Sequence, residues 1–128
     1  MQIRVLILLF TFFLTAGCNA KLSEEMKKDL SVAEDWEIII DGARYKQKLK
    51  IEVNSPGGPV SVAAFLAKDR DEAFTALFSS KSSDTILASE RKTERATLEV
   101  TSPAKEDLIV RVKNVSEKQA NVTVKITN

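Results

Sequence analysis

The sequence predicts a mainly β protein, an antiparallel β-sandwich of about seven short strands with one short helix inserted near residues 69–79. Three observations carry that reading. Apolar and polar residues alternate at period two along several stretches after Trp36. Clusters of Pro, Gly, Asn and Ser interrupt the alternation at short intervals, as in a sheet protein with many turns. A helical period stands out over one stretch within that region, after Asp69.

The first element is an export signal. Arg4 is the only charge ahead of Val5–Leu14 (VLILLFTFFL), and small residues follow at Ala16 and Gly17. A helix of ten residues rises about 15 Å, half of a bilayer's hydrocarbon core, which is too short for a stable span. Leu14-Thr15-Ala16-Gly17-Cys18 resembles the lipobox of bacterial lipoproteins, with Thr15 where leucine is more usual and Leu14 one position early. The resemblance implies a signal peptide at 1–17, cleavage between Gly17 and Cys18, a diacylglyceryl group on the Cys18 thiol and acylation of the new amino group. Two or more acyl chains anchor stably where one holds only marginally. By its resemblance to enteric-type lipoproteins, in which a residue other than Asp after the cysteine permits transfer, Asn19 implies passage to the outer membrane, with the domain facing the periplasm. Cys18 is the only cysteine, so no internal disulfide can form.

Composition narrows the chemistry. The 128 residues carry 19 basic and 18 acidic side chains, and removing Arg4 with the signal leaves 18 of each. Such a balance gives no general attraction to nucleic acid or anionic lipid. The chain has no histidine and no cysteine beyond the anchor. Ser-His and Cys-His catalysis, thiol nucleophiles and the usual zinc sites are therefore excluded. No metal and no cofactor is expected.

Residues 18–35 read as the lipidated N-terminus and a polar tether, with the domain proper at 36–128. A short helix capped by Ser23, with Leu22, Met26, Leu30 and Ala33 on one side, is the weaker reading of the tether. Trp36–Ile40 predicts a strand, and Asp41-Gly42 a hairpin turn into the next. There Tyr45, Gln47, Leu49, Ile51 and Val53 alternate with Lys46, Lys48, Lys50 and Glu52, so one face meets the core and the other water. Two prolines and two glycines make 54–59 a loop. Val60, Val62, Ala64 and Leu66 form the next strand; Phe65 makes it apolar on both faces, hence central or covered.

Asp69 with Glu72 predicts a capping box, and Ala73, Phe74, Leu77 and Phe78 share a helical face expected to lie over an open end of the sandwich. Ser79–Ser83 reads as a loop. Asp84–Arg91 is a strand of undecided face, because Ile86 and Leu87 are adjacent. Alternating Ala96-Leu98-Val100, Leu108-Val110-Val112 and Ala120-Val122-Val124-Ile126 give the last three strands, the final two as a hairpin around Asn114–Lys118. From Leu66 to Ile126 this arrangement resembles small jelly-roll-like sandwiches such as GOLD domains and bacterial pre-peptidase C-terminal domains. The resemblance rests on pattern and implies a recognition or accessory module without a shared active site.

The remaining motifs are weak. Ser89–Lys92 and Ser102–Lys105 match S-x-x-K, but in strand or turn sequence their Ser and Lys would not stack as on a helix. Asp69, Asp71, Glu72 and Asp84 offer oxygens, yet acids at a helix start are explained by its dipole. Trp36 and Tyr45 read as core or rim residues flanking the first turn. Lys46, Lys48 and Lys50 make a basic stripe suited to an anionic partner, or to shielding a sheet edge. The expected function is a membrane-anchored, non-catalytic binding or assembly module for an envelope protein or glycolipid. The alternative is a small-ligand or lipid carrier using the sandwich interior or the open end near Phe74 and Phe78.

Overall fold

A computed structural model describes residues 22–79 and 83–128; the signal peptide, Gly17, Cys18 and most of the loop after the helix lie outside the described residues. Eight strands form two four-stranded antiparallel sheets. They are β1 (Ser23–Leu30), β2 (Asp35–Ile40), β3 (Gln47–Asn54), β4 (Val60–Leu66), β5 (Ile86–Thr93), β6 (Arg95–Ser102), β7 (Leu108–Asn114) and β8 (Ala120–Thr127). A single 3-10 turn at Ala67–Asp69 leads into helix α1 (Arg70–Phe78), between β4 and β5. The first sheet runs β1-β8-β3-β6 and the second β2-β7-β4-β5. That is the strand order of a jelly roll, an eight-stranded double-sheet sandwich.

Six of the seven connections cross from one sheet to the other; only β4 to β5 stays within a sheet. The predicted hairpins at Asp41-Gly42 and Asn114–Lys118 are therefore crossings, because β2 and β3, like β7 and β8, belong to different sheets. Gly42 serves close approach rather than a tight turn. A Cβ there would lie 2.5 Å from the Lys105 carbonyl carbon and 2.6 Å from the Glu106 nitrogen. Instead the Gly42 N–H donates to Asp107 Oδ1 at 2.7 Å, and the Lys105 N–H donates to the Ala43 carbonyl at 2.7 Å.

The inward faces meet in one apolar core that includes Trp36, Ile38, Leu49, Ile51, Val62, Leu98, Val110, Val112, Val124 and Ile126. Trp36 is thus a core residue, whereas Tyr45 lies ahead of β3 and is exposed. The sandwich starts earlier than residue 36: Ser23–Leu30, read as tether or helix, is a strand paired along its length with β8, from Ser23 opposite Thr127 to Leu30 opposite Ala120. Leu22, Met26 and Leu30 face the core from that edge. A spacing of four places residues on one side of a strand as well as of a helix, and the ladder with β8 decides between them.

At one end of the sandwich a buried asparagine joins the sheets. The Asn114 side-chain amide donates to the carbonyls of Leu30 at 3.0 Å, Ser31 at 3.1 Å and Lys118 at 2.8 Å, while its Oδ1 accepts from the Ser116 N–H at 2.9 Å. These bonds satisfy backbone groups that the crossings leave out of both ladders.

Candidate functional site

The two sheets differ on their outer sides, and the difference is set by sequence. On β4 and β7 the positions pointing away from the core include Ala63, Phe65, Ile109 and Arg111. Apolar side chains there need a cover, and α1 provides it. Ala73, Phe74 and Leu77 pack on Ala63, Phe65 and Ile109 as a second, smaller core. The expectation that β4 is covered on its second face holds. The helix lies across the outer face of the second sheet rather than over an open end, because that face is where the unpartnered apolar surface is. Asp69 precedes α1 without a side-chain cap bond, so the predicted capping box is absent. The preceding 3-10 turn gives the entry instead, with the Ala67 N–H donating to the Asp107 carbonyl at 2.9 Å.

Phe74 organises the local chemistry. Its ring meets Phe65 edge to face at a centroid distance of 5.8 Å. Two guanidinium groups lie against it: Arg70 at 4.4 Å and Arg111 at 4.5 Å from the ring centroid. Each is also tied to a carboxylate on β2, Arg70 to Glu37 at 2.8 Å and Arg111 to Asp35 at 2.8 Å. The hydrogen bond that Arg70 donates to Glu37, with the carboxylate's charge, holds the pKa of the Arg70 guanidinium above its ordinary value. Arg111 alternates with Val110 and Val112 along β7. It is 8 % exposed, and its Nε has no hydrogen-bond partner among the described residues. A buried charge needs such partners, and aromatic faces supply part of what water would give.

Beside Arg111 a groove of about 210 Å³ opens toward the C-terminal end of α1. Arg91, Arg111 and Lys113 line it together with Ser61, Ser89 and Phe78, and no carboxylate does. Arg111 is neutralised by Asp35, whereas neither Arg91 nor Lys113 is in an ion pair among the described residues. Phe78 is 75 % exposed and sits 5.8 Å from both the Arg111 guanidinium and the Lys113 ammonium. The adjoining β4–β5 pairing carries register shifts between Val60 and Val62 and between Ala64 and Phe65. The first brings the Lys92 N–H within 3.1 Å of Ser61 Oγ, and bulges of this kind re-aim the side chains beside them. The second lets Ile86 and Ala88, two residues apart, serve different clusters while Leu87 between them is exposed, which resolves the undecided face of β5. An exposed aromatic ring next to two unpaired cations can hold an anionic group and cover apolar surface at once.

The residues singled out from sequence fall elsewhere. Lys48 and Lys50 project from β3 on the outer face of the first sheet, and Lys46 precedes the strand. Lys50 pairs with Glu52 at 3.1 Å. Because β3 lies between β8 and β6, these lysines do not shield an edge. Among the described residues no group of three Asp, Glu, Cys or His side chains is placed to hold a metal ion. Among the described residues the inward faces of both sheets pack against each other in the core, and the groove beside Arg111 lies outside it, against α1. A carrier using the sandwich interior is therefore not supported. Arg111 and Phe78 were not identified as a pair by sequence reasoning; the available signal was a charge on β7 opposite the doubly apolar β4.

No protein-family model matches the chain, and no curated protein matches it in sequence. Several solved structures share its fold. The pre-peptidase C-terminal domain of a collagenase from Bacillus anthracis aligns with a TM-score of 0.60 at 8% identity, covering 82% of this chain and 89% of that one. The Yersinia pseudotuberculosis-derived mitogen aligns at 0.59 and 10% identity, over 84% and 86%. PliG of Aeromonas hydrophila, a periplasmic inhibitor of g-type lysozyme, aligns at 0.53 and 6% identity, over 82% and 84%. At such identities the likeness shows the β-sandwich fold, including the expected similarity to a pre-peptidase C-terminal domain.

Proposed function

We propose that this chain is a non-catalytic binding module of the bacterial envelope, held by acylated Cys18 at the outer membrane and facing the periplasm. Its docking face is the helix-covered side of the second sheet. The observation that carries this reading is Phe78, exposed beside a groove whose charged lining residues are all cationic. Exposed aromatic residues next to Arg are typical anchors of protein interfaces. An anionic segment of an envelope protein would pair with Arg91 and Lys113 while its apolar part covers Phe78. The carrier alternative is reduced to this same groove, which has room for a small anionic group.

Two measurements test the reading. Cys18→Ser should leave an unprocessed precursor and abolish acyl labelling; normal processing and labelling would overturn the anchor. For the docking face, a photoreactive phenylalanine analogue at position 78 of the acylated protein in membranes should give one discrete adduct. The same probe at Thr97, on the bare face of the first sheet, should give none. Arg91→Glu with Lys113→Glu should remove the adduct while the folded state persists. Equal labelling from positions 78 and 97 would sink the assignment.

A further inference from the structure

Strand register places the start of the sandwich beside a second cationic surface. Ser23 and Lys50 both lie opposite Thr127, so β1 and β3 run in the same direction on either side of β8 with these residues level. Upstream of Ser23 the chain leads back to Cys18, and upstream of Lys50 it leads back to Tyr45, over the same five-residue span. Leu22 is fixed at this end, its N–H donating to Asn128 Oδ1 at 2.8 Å. From there Cys18 is four residues away, a reach of about 14 Å at most.

That end bears Arg44, Tyr45, Lys46, Lys48 and Lys105, all exposed, with Tyr45 68 % accessible. Among the described residues none of these four cations is in an ion pair. Of the acids in the 41–46 and 103–107 loops, Glu106 is engaged with Lys68 at 3.5 Å and Asp107 with the Gly42 N–H, which leaves Asp41; Asp69 lies in the 3-10 turn, and Glu24 and Glu25 at the start of β1. The 41–46 and 103–107 loops are held together by the close approach at Gly42, so the patch is built on a fixed base. A phenol beside several cations suits the headgroup level of a bilayer, where the ring sits among acyl ends and headgroups and the cations meet anionic phosphates.

We propose that this end of the sandwich, through Tyr45 and the cations Arg44, Lys46, Lys48 and Lys105, rests on the anionic phospholipid surface of the membrane that holds Cys18. The proposal builds on the anchored reading and assigns the basic stripe to lipid rather than to a protein partner. It fixes the orientation of the domain. β4 runs from Val60, level with Asn114, to Leu66, level with Leu108. The groove by Phe78 borders Ser61 and Val115, near the opposite end from Tyr45, and so points away from the lipid.

The test uses the full acylated chain, purified from membranes and reconstituted into vesicles of zwitterionic lipid alone or with phosphatidylglycerol. An environment-sensitive fluorophore is placed at Tyr45→Cys or, as the far-end control, at Glu117→Cys, and acylation of Cys18 is verified by mass. In anionic vesicles the label at 45 should shift to the blue and be quenched by headgroup-level quencher lipids, while the label at 117 reports water. Lys46→Glu, Lys48→Glu and Lys105→Glu together should return the label at 45 to water with circular dichroism unchanged. An acylated chain whose label at 45 stays as exposed as that at 117 overturns this proposal alone. A chain whose Cys18 carries no acyl group overturns the anchored reading, and the proposal with it.

Discussion

The two sheets of this sandwich share a core and differ on their outer sides. On the first sheet the outward positions of β3, β6 and β8 include Lys48, Lys50, Thr97, Glu99, Asn121 and Lys125, all exposed, and none of the outward positions on these strands is buried. On the second, the corresponding positions of β4 and β7 include Ala63, Phe65, Ile109 and Arg111, all buried under α1. One sheet is finished by water and the other by a helix. The helix-covered side is also where a guanidinium is buried and a phenyl ring is left exposed, which makes it the side suited to contact.

The contrast can be tested by substitution. Phe65→Ala on the covered face should cost about 3–5 kcal/mol, read from urea unfolding followed by Trp36 fluorescence. Thr97→Ala on the bare face should stay within about 0.5 kcal/mol; equal losses at the two sites would erase the distinction. Asn114→Ala should cost about 2–4 kcal/mol because it strands carbonyls from both sides of a crossing. Since Asn114 serves both sheets, its loss should lower the whole transition rather than split it. Lys50→Gln removes an exposed pair with Glu52 and should change stability by less than about 0.5 kcal/mol.

The smallest effect is one of pH. The Ser31 N–H, with lesser help from Lys28, holds the Glu34 carboxyl below its ordinary 4.5. A lowered folded-state value means this contribution is present above 4.5 and is lost as pH falls through the lowered value. Wild type and Glu34→Gln should therefore differ in urea midpoint at neutral pH and converge in acid. A gap that persists at the acid end would assign the difference to something other than this carboxylate.

How much of this was legible in the sequence depended on which face a residue served. The strands of the first sheet that flank water, β3, β6 and β8, were read from alternation alone, since one face is apolar and the other polar. β1 was not, because its inward positions Glu24 and Lys28 are polar at an edge and its apolar residues recur every four. Burial at that edge raises the Glu24 carboxyl above its ordinary value, the cost of facing a polar residue inward. The helix was located correctly but not its seat: Phe65 and Ile109 already showed two outward apolar positions, and strand pairing makes them opposite neighbours. Nothing in the alternation along β7 shows that Phe74 and Asp35 will enclose Arg111. Turn signals gave the places where the chain reverses, while the choice between hairpin and crossing depends on contacts far apart in sequence.

The ladder between β1 and β8 has a mechanical consequence. Tension that enters ahead of Ser23 and leaves near Phe78 runs along the strands, from one end of the sandwich to the other. It would load the pairs from Ser23–Thr127 to Leu30–Ala120 in shear, all together, instead of peeling them one by one. The edge strand that looked like a tether would then act as the domain's strain-bearing splice, resisting detachment by the number of rungs pulled at once.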